Sequence, residues 1–194
     1  MSKSDPEASK RERNKTIRWV VTIFFITMLV SGIITLLSDY IMSVSGIVVA
    51  FLILFAIIML GILFDVIGMA VATADEKPFH AMAARKVPGA KECIKLLRNA
   101  ERVSSICNDV VGDICGVVAG SASATVAAQL LLMVDTAWPR SIMLAMSALV
   151  AGLTVGGKAI GKTFAVNSCT TIVHTVGKLI YSLHNLPRLF SRKK

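Results

Sequence analysis

The sequence predicts an all-α membrane protein with four transmembrane helices, a cytoplasmic helical hairpin and a C-terminal juxtamembrane amphipathic helix. The chain of 194 residues is 55% hydrophobic, with a mean hydropathy of +0.70. A soluble domain of this length has too much surface to bury that much apolar side chain. Four apolar runs are also long enough to cross a bilayer. Finally, 20 of the 21 Lys and Arg residues fall on one side when those runs alternate in direction.

The four predicted spans are 19–37, 46–74, 110–134 and 141 to about 160. We interpret the first span as a retained signal anchor, because it has no short apolar core followed by a small-residue cleavage site. The residues before it form a basic tail that we expect to be disordered.

The connections between the spans are short except for one. Residues 38–43 form a polar connection that contains Asp39, and 135–140 form a tight loop. The longer polar segment 75–108 is broken by Pro88–Gly89, which predicts two short helical pieces.

The segment 162–183 repeats apolar residues at helical spacing, at Ile172, Val176, Leu179, Ile180 and Leu183. This pattern indicates an amphipathic helix that lies in the membrane interface or, equally, a helix that packs against the spans.

The distribution of basic residues predicts the orientation. The positive-inside rule places both termini and the central polar segment in the cytoplasm, in a multi-pass protein of the plasma membrane. The basic residues flank apolar runs and form no stripe with aromatics, which argues against nucleic-acid binding. The four cysteines lack a C-x-x-C pair, so neither zinc nor disulfides are expected. No phosphate loop or nucleophile–base pair is visible, so we expect no enzyme.

Three charged residues lie inside the predicted spans: Asp65, Asp113 and Lys158. At about 1.5 Å per residue, all three fall roughly 28–33 Å from the outer ends of their helices. They are therefore expected to share one layer near the cytoplasmic boundary of the hydrocarbon, where charges are costly and often functional.

Two further residues extend this candidate site. Asp109 and Asp113 are four apart, which predicts that they share one helical face, and Asn108 adds an amide oxygen. Such oxygens suit hard cations, so Asp65, Asn108, Asp109 and Asp113 are the candidate ligands of Mg²⁺. Two alternatives stay open: Lys158 pairs with Asp113 or Asp65 as a buried ion pair, or the charges simply reach interfacial water.

Small residues repeat every four positions in the last two spans, which predicts close helix packing within the chain or between two chains. The glycines concerned are Gly112, Gly116, Gly120, Gly156, Gly157 and Gly161. The pair Gly156–Gly157, just before Lys158, is also consistent with a locally unwound helix that exposes carbonyls to an ion.

Three stretches, in order, resemble the transmembrane domain of the CNNM/CorC (also CorB) family. FDVIGMAVATA, 64–74, resembles the family's first motif, and NAERVSSICNDVVGD, 99–113, resembles the segment that leads to its asparagines. VGGKAIGKTFA, 155–165, resembles the third motif, with Lys158 where the family has glutamate. The chain has no counterpart of the family's nucleotide-binding CBS pair, so no nucleotide is expected.

The resemblance implies a domain layout and a function. It gives a cytoplasmic basic tail at 1–18, an extra transmembrane helix at 19–37, the CNNM/CorC-like domain at 43–183 and a basic C-terminal tail at 184–194. It also implies a homodimer in the lipid bilayer that moves or senses Mg²⁺ or another divalent cation. The alternative is a structural or regulatory membrane protein that keeps the fold without transport, with Lys158 as a tethered cation in place of a metal.

Overall fold

The computed structural model describes residues 6–133 and 138–191, and the side chains of 17–133 and 138–184. Within these ranges the chain is helical and contains no strand. The helices are α1 (Pro6–Val44), α2 (Ile47–Thr73), α3 (Lys77–Ala84), α4 (Ala90–Arg98), α5 (Ala100–Ser105), a π-helix (Ile106–Gly112), α6 (Asp113–Met133), α7 (Pro139–Asn167) and α8 (Cys169–Ser191).

Four helical segments of the described chain are long and apolar enough to cross a membrane, as the sequence predicts. They are Ile17–Val44, Ile47–Thr73, Ala100–Met133 and Pro139–Asn167. We call the end of the bundle that carries α3–α5 and α8 the hairpin side. The opposite end, with the Ser45–Gly46 turn, is the loop side.

Helix α2 is the centre of the bundle, because it packs against α6, α7, α8 and the π-helix. Its loop-side half belongs to an apolar cluster that includes Leu54, Ile58 and Val126. Its hairpin-side end joins a second cluster around Phe79 and Val173. Helix α2 is the most apolar span, and it contacts each of the other three, α1 the least.

The predicted connection at 38–43 is wrong, because α1 continues through it to Val44. Asp39 lies inside the helix and accepts hydrogen bonds from Ser121 Oγ and Thr125 Oγ1 of α6, each at 3.2 Å. Ser43 and Ser45 donate to carbonyls of their own helix. The polar side chains are therefore satisfied without a loop.

The helices also extend beyond the predicted spans at other places. Helix α1 begins at Pro6, so residues 6–18 are helical where we expected a disordered tail; 1–5 and 192–194 lie outside the described residues. Helix α7 continues to Asn167 and stays α-helical through Gly156–Gly157, which are not unwound. Of the predicted tight loop, 135–137 lie outside the described residues, and α7 begins at Pro139.

Helices α3 and α4 flank Pro88–Gly89, as the break in the sequence predicts. Gly89 has φ +85, a conformation that glycine adopts at little cost. The predicted apolar stripe of the last segment divides between two environments in α8. Ile172 is half-buried and packs against the second cluster, whereas Leu179, Ile180 and Leu183 are exposed.

Candidate functional site

The structure brings Asp65, Asp113 and Lys158 together in one place, which we call the charge layer. The Lys158 Nζ lies 3.6 Å from Asp65 Oδ2 and 3.7 Å from Asp113 Oδ1, and it donates to the Gly112 carbonyl oxygen at 3.2 Å. Three oxygens from two neighbouring helices thus surround one ammonium. With two carboxylates and one ammonium, the layer carries a formal charge of −1 when all three groups are ionised.

The two carboxylates of the charge layer differ strongly in exposure. The Asp65 side chain is 3% exposed and lies between α2 and the π-helix, whereas the Asp113 side chain is 70% exposed. Lys158 is 19% exposed and so lies between these two environments. Lys158 therefore contacts both a buried carboxylate, Asp65, and an exposed one, Asp113.

Asp65 reaches this position because a glycine faces it. A Cβ on Gly112 would overlap Asp65 Oδ1, so any larger residue there would displace the carboxylate. The contact leaves Asp65 Oδ1 buried and without a hydrogen-bond partner among the described residues. An unpaired buried acceptor of this kind is costly and usually has an explanation, such as a bound ion or water.

Asn108 supplies a second buried oxygen without a partner among the described residues, about one turn of α2 from Asp65. Its Nδ2 donates to Ser104 Oγ at 3.3 Å, while its Oδ1 is buried without a partner and faces Gly68 of α2. Gly68 follows Asp65 by three residues, which is about 4.5 Å along the helix axis. Two unpaired hard oxygens therefore line the same interface between α2 and the π-helix.

Asp109 does not join this group. Its carboxylate is exposed and accepts a hydrogen bond from Ser105 Oγ at 2.8 Å. The residues between Asp109 and Asp113 form a π-helix with i→i+5 hydrogen bonds, and both carboxylates are exposed. π-Helical turns within α-helices are frequent at functional sites.

The six glycines selected from the sequence fall into two groups. Gly112, Gly157 and Gly161 lie at close contacts inside the chain, the last two against Ile62 and Val66 of α2. These contacts bring α7, and with it Lys158, close to Asp65. In contrast, Gly116, Gly120 and Gly156 have no atom within 4 Å of an added Cβ. Gly116 and Gly120 instead line a cleft of about 280 Å³ between α6 and α7.

Sequence reasoning missed a second polar cluster, on the loop side. It consists of Asp39, Ser121, Thr125 and Gln129, whose Nε2 donates to the Met42 carbonyl at 2.6 Å. The signal was present, because Ser121, Thr125 and Gln129 follow one another at four-residue spacing and so form a polar stripe along α6. No sequence signal marks the π-helix.

The described residues contain no group of three or more His, Cys, Asp or Glu side chains that could hold a metal ion. Any cation here would therefore be bound by a carboxylate, amide and carbonyl oxygens, with water completing its shell. Mg²⁺ accepts such an arrangement, since it usually keeps several waters and binds one or two carboxylates. The unpaired oxygens of Asp65 and Asn108 fit that donor set.

No protein-family model, curated protein or solved structure matches this chain. The interpretation therefore rests on the residues themselves.

Proposed function

We propose that this chain is a membrane protein that binds a divalent cation, with Mg²⁺ favoured, beside the charge layer, and moves or senses it. The observation that carries the proposal is the buried Asp65 Oδ1, which has no hydrogen-bond partner and lies one turn from the unpaired Asn108 Oδ1. The π-helix at this point and the net negative charge of the layer support the same function. The resemblance to the CNNM/CorC family supports it too. The three stretches of this chain that resemble the family's motifs contain Asp65, Asn108 and Lys158.

The residues have distinct roles in this proposal. Asp65 and Asn108 supply inner oxygens, and the exposed Asp113 attracts the cation from the hairpin side. Lys158 is a resident cation that the incoming ion displaces from the carboxylates. Asp109 contributes only at the surface, because its carboxylate is exposed and contacts Ser105. No nucleotide and no enzymatic step enter the proposal.

Mg²⁺ binding to the purified full-length chain tests this function. We expect added Mg²⁺ to raise the thermal unfolding midpoint, as ligand binding to the folded state must. Asp65→Asn and Asn108→Ala should reduce that rise, while Asp39→Asn, a carboxylate on the loop side, should leave it unchanged. An equal Mg²⁺ response in all four proteins would contradict the proposed site.

A specific observation favours the alternative function, a structural or regulatory protein without transport. The Lys158 ammonium already contacts two carboxylates and a carbonyl, as a bound cation would. Mg²⁺ flux into liposomes separates the two functions. Flux through wild-type protein that falls in Asp65→Asn supports transport. Absence of flux in wild type together with its appearance in Lys158→Met identifies Lys158 as a permanent replacement for the metal.

The proposal includes an orientation in the plasma membrane with both termini in the cytoplasm. It rests on the 20 of 21 basic residues that this orientation places on the cytoplasmic side. Single cysteines introduced at Ser2 and Ser191 should react with a membrane-impermeant reagent only after the cells are opened. Reaction at either position in intact cells would reverse the orientation.

A homodimer is also part of the proposal. The cleft lined by Gly116 and Gly120 of α6 and by Thr154 and Val155 of α7 is wide enough to receive side chains of a second copy. Gly116→Leu should fill the cleft and reduce cross-linked dimer in detergent. Gly32→Leu in α1, where an added Cβ also meets open space, is the matched control.

A further inference from the structure

A second cavity lies on the hairpin side and shares no lining residue with the charge layer. Its volume is about 310 Å³, and it lies between the α3–α4 turn and α8. Gly89 in that turn packs against the backbone of Lys178, so close that an added Cβ would lie 2.7 Å from its Cα. Backbone hydrogen bonds from Lys86 to Ala83 and from Val87 to Met82 close the turn. The cavity therefore has firmly held walls.

The walls of this cavity carry excess positive charge. Lys86 and Lys91 line it, both exposed, and neither forms an ion pair within the described residues. Glu92 is the one acidic residue of the lining, which leaves a formal charge of +1. The N-terminus of α4 begins at Ala90 between the two lysines and adds its partial positive charge. This arrangement suits an anion such as a phosphate group.

The helix that completes the cavity also carries exposed apolar residues. Tyr181 of α8 lines the cavity, and the adjoining Ile180 is 37% exposed. Leu179 and Leu183, 61% and 58% exposed, lie on the other side of α8, because residues two apart in a helix point in nearly opposite directions. The first turns of α8 pack through Val173 on the cluster that contains Val71, two residues before the end of the second span. These features are typical of a helix at the lipid headgroup level: exposed apolar residues, a tyrosine, and lysines that follow a span closely in the sequence.

We propose that this cavity binds the phosphate of an anionic membrane lipid, with Lys86 and Lys91 on the phosphate and Tyr181 against the glycerol region. The exposed apolar residues of α8 hold this helix at the headgroup level beside the bound lipid. The volume is at the lower limit of small-molecule sites, which fits a headgroup and excludes a whole lipid. Juxtamembrane lysines attract anionic headgroups in this way, each contributing measurably to affinity. The proposal is independent of any cation bound at the charge layer.

Native mass spectrometry of the full-length chain in a neutral detergent tests this site. The probes are phosphatidylglycerol, phosphatidylcholine and inorganic phosphate, each added alone. We expect one phosphatidylglycerol to bind more tightly than phosphatidylcholine. The double variant Lys86→Gln/Lys91→Gln should bind it roughly tenfold more weakly or worse. The matched control is Lys77→Gln/Lys95→Gln, which removes the same charge from exposed positions of α3 and α4 outside the cavity.

Unchanged affinity in the control variant, with loss in the cavity variant, supports the site. Equal loss in both variants would show a diffuse electrostatic effect and overturn it. Equal binding of phosphatidylcholine and phosphatidylglycerol would also overturn it. Binding of inorganic phosphate without any preference for phosphatidylglycerol would assign the cavity to a soluble phosphate compound and overturn the lipid. Since Lys86 and Lys91 are exposed, both variants are expected to fold, and unchanged thermal unfolding midpoints verify this.

Discussion

Asp39 and Asp65 are both carboxylates on apolar spanning helices, but their surroundings differ. Each oxygen of Asp39 accepts one hydrogen bond from a hydroxyl of α6. Asp65 instead has one oxygen near an ammonium and one buried oxygen without a partner. Two hydroxyls satisfy a carboxylate and make it an attachment point between helices. A single ammonium leaves half of the carboxylate available to another ligand. The difference lies in the carboxylates themselves, since the loop-side cluster also contains a buried oxygen without a partner among the described residues, Gln129 Oε1.

The largest expected effect comes from removing the ammonium. Lys158→Met leaves Asp65 buried and uncompensated, which should lower the free energy of unfolding by about 3–5 kcal/mol. The control is Lys162→Met, one turn further along α7 at an exposed position, which should change it by less than about 0.5 kcal/mol. Thermal unfolding in detergent without added metal measures both. If the two variants are equally stable, water already screens Asp65 and the contrast with Asp39 fails.

A smaller effect is expected where the backbone approaches Asp65. The added Cβ in Gly112→Ala would overlap Asp65 Oδ1, and this overpacking should cost about 1–3 kcal/mol. At Gly116, one turn along, an added Cβ meets open space, so Gly116→Ala should be neutral or stabilise by up to about 1 kcal/mol through helix propensity. Unfolding midpoints that move in the same direction for both variants would contradict the close contact.

Asp39→Asn should have a weaker effect still. The amide keeps one acceptor oxygen, and its nitrogen can donate to the second hydroxyl, so the cost should be about 1 kcal/mol or less. Asp65→Asn, by comparison, should cost more because it removes a charge that contacts Lys158. Unfolding midpoints of the two variants under identical conditions compare the sites directly. A larger loss of stability in Asp39→Asn than in Asp65→Asn would mean that the loop-side cluster contributes more to stability than the charge layer.

The smallest effect concerns a polar contact outside both membrane clusters. Burial raises the pKa of the Cys93 thiol above its ordinary value of 9.0, and Cys93 Sγ donates to the Val173 carbonyl at 3.3 Å. The folded chain thus keeps a proton that the unfolded chain releases above about pH 9. Stability from this group is present below pH 9 and falls as pH rises further. The difference in unfolding midpoint between wild type and Cys93→Ala should therefore shrink between pH 8 and pH 10.

Much of the helical architecture could be predicted, because hydropathy and charge distribution depend on composition along the chain. The spans at Ile47–Thr73 and Pro139–Asn167 begin within two residues of their predicted starts. The ends of α1 and α7 were harder, because 38–43 with Asp39 was expected to be a connection and the fourth span was expected to stop near 160, just after Lys158. Contacts with other helices satisfy both side chains, and the helices continue. Such contacts are tertiary, and only the polar stripe of α6 indicated the one at Asp39.

The candidate site was predictable only in part. Counting residues placed Asp65, Asp113 and Lys158 at similar depth, and the structure places one oxygen of each carboxylate within 4 Å of Lys158 Nζ. Asp109 was grouped with them, but its carboxylate is exposed and contacts Ser105, which counting residues does not predict. The π-helix at Ile106–Gly112 was not predicted either, because no sequence pattern marks it.

Each backbone hydrogen bond of the π-helix spans one more residue than in an α-helix. The segment therefore contains one extra residue relative to a continuous α-helix. Returning Ile106–Gly112 to α-helical bonding would shift the chain on its N-terminal side by about 1.5 Å and rotate it by roughly 100° relative to α6. The position that faces Gly68 would then pass from Asn108 to one of its neighbours, the thiol Cys107 or the carboxylate Asp109. A one-residue change of register would thus alter the charge beside Asp65 without breaking the helix.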